Sequence, residues 1–83
     1  MSNWIEEDNS LKAEFIFSDF AQAWSFMTEV ALYAEKQNHH PNWSNVYNKV
    51  VIYLCTHSAG NIVTEKDRIL ASKIDDIVKK YSS

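Results

Sequence analysis

Residues 35–57 read Glu-Lys-Gln-Asn-His-His-Pro-Asn-Trp-Ser-Asn-Val-Tyr-Asn-Lys-Val-Val-Ile-Tyr-Leu-Cys-Thr-His. Their second half carries the strongest strand signal in the chain. From Val50 to Thr56, β-branched and aromatic residues alternate. Val50, Ile52, Leu54 and Thr56 face one way; Val51, Tyr53, Cys55 and His57 face the other. Asn42 to Tyr47 reads as a second strand, entered through a short loop, with Asn48-Lys49 as the hairpin turn. Pro41 disfavours helical geometry at His40, so a preceding helix should end near Gln37 or Asn38.

Working outward, Leu11, Ala13, Phe15 and Phe17 alternate with Lys12, Glu14 and Ile16, the pattern of a strand with one buried face. Trp4-Ile5-Glu6 is a candidate short edge strand, followed by a turn at Asp8-Asn9-Ser10. Ser18 or Asp19 is a natural N-cap. Phe20, Ala23, Trp24, Met27, Val30, Ala31 and Ala34 then form an apolar helical stripe, with Trp24 and Met27 expected in the core. Beyond His57, Ser58 to Val63 reads as a loop holding the only glycine, Gly60. Thr64-Glu65-Lys66-Asp67 resembles a capping box with Asp at the third helical position. Leu70, Ile74, Ile77, Val78 and Tyr81 supply a second helical stripe, and Lys79 and Lys80 suit the negative end of its dipole. The order strand, strand, helix, strand, strand, helix predicts an α+β fold. It is a four-stranded antiparallel sheet with two helices packed on one face, in one domain over residues 1–83.

A chain of 83 residues has a small core, and oligomerisation is one common remedy. The net charge of −3 offers no electrostatic footprint for nucleic acid or an anionic membrane. The single Cys55 excludes an internal disulfide and suits a reducing compartment. No apolar run approaches membrane-spanning length, and the polar, acidic start is unlike a signal peptide. The expectation is a soluble cytoplasmic protein with no direct nucleic-acid or membrane partner.

All three histidines, His39, His40 and His57, fall within the opening stretch. Imidazole exchanges protons near neutral pH. Equal counting from a turn at Asn48-Lys49 sets His57 opposite about position 40, so the three arrive at one sheet end. Glu35, about one helical turn before His39, is placed to orient an imidazole, and Asp67 serves similarly if the loop folds back. The cluster fits general acid–base chemistry. Zinc with an open position is the rival chemistry, although adjacent histidines usually point their rings apart. A third reading has the histidines as polar caps of a helix end and a strand end. Ser58 lacks the Gly-x-Ser-x-Gly setting of a nucleophile, and Cys55 reads as a small buried apolar group.

These residues resemble the pterin-4a-carbinolamine dehydratases. The resemblance rests on Glu35, His39-His40-Pro41, Tyr47 and Thr56-His57. Flanking matches include Phe15, Phe17, Trp43, Ala59-Gly60, Thr64, Asp67, Leu70-Ala71 and Ile74, and it extends over about residues 4–78. It implies dehydration of a 4a-hydroxytetrahydropterin to the quinonoid dihydropterin, in tetrahydropterin recycling, without metal or organic cofactor. It casts His39, His40 and His57 as acid–base residues at the pterin. Glu35, Pro41, Trp43, Thr56, Ser58 and Asp67 become substrate-binding or supporting residues. It also implies a homodimer or homotetramer. Some animal members double as dimerisation cofactors of a homeodomain transcription factor, so a non-catalytic dimerising scaffold is the alternative. The chain departs from the family pattern where a Gly-Gly commonly follows Thr-His: it has Gly60-Asn61.

Overall fold

The alternation at Leu11 to Phe17 builds the second strand of the sheet. A computed structural model describes residues 3–81. In it β1 spans Ile5–Glu7, β2 Ser10–Ile16, α1 Phe20–Gln37, β3 Asn42–Val46, β4 Lys49–Leu54 and α2 Glu65–Val78. Short 3-10 turns follow at His57–Ala59 and Lys79–Tyr81. The sheet order is β1-β2-β4-β3, antiparallel throughout. The predicted α+β architecture is therefore the observed one. Leu11, Ala13 and Phe15 of β2 and Val50, Ile52 and Leu54 of β4 are buried with Ala23, Phe26 and Val30 of α1 and Leu70, Ile74 and Ile77 of α2. The opposite sheet face is open, and Ile16, Val46 and Tyr53 are exposed there.

The buried face of α1 differs from the predicted stripe. Ala23, Phe26, Val30 and Ala34 point inward, whereas Phe20 and Trp24 are 48% and 55% exposed. Trp24 is thus not a core residue. The reason is packing: Phe26 meets the rings of Phe15 and Phe17 at centroid distances of 5.4 and 4.9 Å. That turns Phe20 and Trp24 to the flank, where they stack on each other at 5.8 Å. Met27 remains half-buried against the core, as expected.

The hairpin turn also differs. Val46 pairs with Lys49, so the turn is Tyr47-Asn48, one residue earlier than counted. Two asparagines replace glycine as turn-makers. Asn45 donates its amide to the carbonyls of Tyr47 and Lys49 at 3.1 and 2.9 Å, and Tyr47 takes φ +52°. Asn48 donates to the Phe17 carbonyl at 2.9 Å and accepts from Phe17 N–H at 2.8 Å, which joins the turn to β2. The register shifts by two positions, so the facing parity is kept and the histidines still reach one sheet end. β4 also stops at Leu54, short of the expected Thr56. Thr56 instead bridges Ile62. Among the described residues no helix is long and apolar enough to cross a membrane.

Candidate active site

Three element ends converge at one end of the sheet. The first is the C-terminus of α1. Asn38 takes left-handed geometry at φ +53°, and its N–H returns to the helix carbonyls of Ala34 and Glu35. His39 N–H also reaches Ala34 O, at 3.1 Å. An asparagine tolerates this conformation and so stops the helix without glycine. The second is the strand end at Thr56-His57. The third is the start of α2, where Asp67 Oδ2 accepts the Thr64 N–H at 2.8 Å, the acidic arm of the expected capping box.

Asp67 ties the three together. It is fully buried. Its Oδ1 lies 2.5 Å from His39 Nε2, and its Oδ2 also accepts the Thr56 hydroxyl at 2.8 Å. The Thr56 and Thr64 hydroxyls lie 2.6 Å apart. Every buried polar side-chain atom among the described residues finds a partner, as a buried carboxylate requires.

The hydrogen bonds also state which imidazole nitrogens are spoken for. A carboxylate only accepts, so His39 donates Nε2–H to Asp67, and no hydrogen bond among the described residues engages its Nδ1. His40 Nε2 lies 2.9 Å from Glu35 Oε1, and this pair is exposed, with side chains 57% and 81% accessible. Among the described residues no hydrogen bond engages His40 Nδ1. His57 is held the other way round, by Nδ1, at 2.7 Å from Asn61 Oδ1.

An open cleft of about 430 Å³ lies between these ends. Of the residues singled out from sequence, His39, His40, Pro41, Thr56, His57 and Ser58 line it. Glu35 is not on the lining but bonds His40, and Asp67 stands behind His39. Trp43 is not at the cleft; it is half-buried against the core beside its β4 partner Ile52. Sequence reasoning missed Asn38, Asn42 and Lys66 on the lining, and Asn61 behind His57. Lys66 lay within the recognised capping box, one residue before Asp67, but nothing in its spacing marked it as a cleft residue. No group of three His, Cys, Asp or Glu side chains among the described residues is spaced to hold a metal ion.

The model of the pterin 4 alpha carbinolamine dehydratase family matches residues 1–77. The chain belongs to that family. A relative from Prochlorococcus marinus subsp. pastoris, provisionally named a pterin-4-alpha-carbinolamine dehydratase, is 51% identical over 80 residues, 96% of this chain and 82% of its own. A solved Brucella melitensis structure, described as a transcriptional coactivator/pterin dehydratase, superposes with a TM-score of 0.86. It is 45% identical, over 90% of this chain and 81% of that one. A pterin dehydratase-like protein identified as a RuBisCO assembly factor in the alpha-carboxysome superposes at 0.74. It is 25% identical, over 93% of this chain and 89% of its own. Members of the pterin dehydratase family thus share this scaffold, and the histidine cleft occupies one end of it.

Proposed function

We propose that this protein dehydrates a 4a-hydroxytetrahydropterin to the quinonoid dihydropterin by histidine acid–base catalysis, in the recycling of a tetrahydropterin. The observation that carries the reading is the meeting of His39, His40 and His57 at one cleft, each with one nitrogen engaged and the other without a hydrogen bond among the described residues. The reaction breaks the bond between C4a and its hydroxyl and removes a proton from the adjoining ring nitrogen. One imidazolium delivers a proton to the departing hydroxyl, which leaves as water. One neutral imidazole takes the ring N–H proton, and the electron pair closes the C4a=N double bond. The proton lost and the proton gained balance, so the imidazoles need only re-equilibrate with solvent. Positioned groups of this kind contribute roughly 10²–10⁴-fold in rate. Asp67 fixes the ring of His39 and Glu35 that of His40, while Pro41, Thr56 and Ser58 shape the cleft. The test is whether purified protein accelerates decay of 4a-hydroxytetrahydropterin at neutral pH. An unchanged decay rate contradicts the proposal.

A second reading is a protein-binding module that self-associates as a homodimer or homotetramer. It is favoured by the exposed apolar residues Phe20, Trp24 and Leu32 on α1, and by the coactivator and assembly-factor descriptions of two solved relatives. A stable oligomer with no dehydration activity would favour this reading over the enzyme.

A further inference from the structure

We propose that Asn61 is a positioning residue that fixes the tautomer of His57, holding the proton on Nδ1 and leaving Nε2 as the proton-accepting atom. The loop between Thr56 and Ile62 is closed by its own backbone. Thr56 N–H donates to Ile62 O at 2.8 Å, Asn61 N–H to Thr56 O at 3.0 Å and Gly60 N–H to His57 O at 3.1 Å. Gly60 and Asn61 both take positive φ, +92° and +62°. Asparagine is among the few side chains that accept this geometry readily. The closed loop sets the Asn61 side chain against the edge of His57, with Oδ1 2.7 Å from Nδ1. An amide oxygen carries no hydrogen, so a contact this short is attractive only when Nδ1 carries one.

That outcome runs against the intrinsic preference of a neutral histidine side chain in water, which favours a proton on Nε2. Asn61 therefore has a task that a glycine at the same position cannot perform, since glycine supplies the backbone geometry but no acceptor. The catalytic consequence rests on the dehydratase reading. The substrate ring N–H passes its proton to Nε2 of His57. The resulting imidazolium still donates Nδ1–H to Asn61, so the hydrogen bond survives both protonation states.

The experiment reads the His57 ring nitrogens by 15N NMR of the ligand-free protein, at a pH where His57 is neutral. Wild type should show Nδ1–H. Asn61→Gly keeps the positive φ and should revert to mainly Nε2–H. Asn61→Asp, an acceptor that cannot donate, should restore Nδ1–H. In the dehydration assay Asn61→Gly should lower kcat roughly three- to ten-fold with little change in KM, and Asn61→Asp should recover it. Nε2–H in wild type would mean that the amide donates its own hydrogen, and would overturn the proposal. So would a tautomer that Asn61→Gly leaves unchanged. Because the tautomer is read without substrate, a wild type that is inactive yet holds Nδ1–H sinks the dehydratase reading and leaves the tautomer assignment standing.

Discussion

At the scale of single residues, Asp67 has no exposed surface, and its two oxygens hold His39, Thr56 and the start of α2. Asp67→Asn keeps the volume but turns one acceptor into a donor, which then faces a hydrogen bond donor. Unfolding in urea should show a loss of about 1.5–3 kcal/mol, the usual cost of disrupting a buried charged hydrogen bond. Turnover should fall further than stability explains, because His39 loses the group that fixes its Nε2–H. Thr56→Val removes the hydroxyl from the same carboxylate and should cost about 1–2 kcal/mol by the same measurement. The histidines were legible in the sequence because all three lie close together in one stretch. Asp67 was legible from its place in a capping box. Asn61 and Lys66 were not, because an amide or an ammonium gains a role only from the path of the loop or helix that carries it.

At the scale of elements, strand existence and order followed from alternation, while faces and registers needed packing. Helix α1 carries more apolar residues than its buried face can take. Periodicity alone chose Phe20 and Trp24, and contact with Phe15 and Phe17 chose Phe26. Phe26→Ala should therefore lower stability by about 3–5 kcal/mol in denaturant unfolding. The hairpin register was set by asparagine amides that bond turn carbonyls, a signal weaker in sequence than glycine. The 3-10 turn after α2 is tied to α1 as well. Tyr81 meets Phe17 edge-on at 5.6 Å, and its hydroxyl lies 2.9 Å from that of Ser25. Lys80 bonds Glu29, and this hydrogen bond holds the Glu29 carboxyl below its ordinary range while raising Lys80. A depressed carboxylate stabilises the fold above its unfolded pKa, and that contribution is lost as pH falls through the folded one. Glu29→Gln and wild type should therefore differ slightly in Tm at neutral pH and converge in acid, since the pair is exposed.

At the scale of the molecule, one end of a four-stranded sheet gathers a helix terminus, a strand terminus and a helix start around a cleft. The rest of the fold holds those three ends in place. The apolar residues left outside on α1 predict self-association. Light scattering should give a mass above the 9.6 kDa of one chain, and Phe20→Ser with Trp24→Ser should return it to the monomer. A wild-type monomer at working concentration contradicts that expectation. The histidine cleft itself is tested most directly by the first-order decay of 4a-hydroxytetrahydropterin. Wild type should be compared with the His39→Ala/His57→Ala double variant, with folding of both checked by circular dichroism. Wild type should accelerate the decay, and the folded double variant should leave it at the uncatalysed rate. Equal acceleration by the two proteins would contradict it.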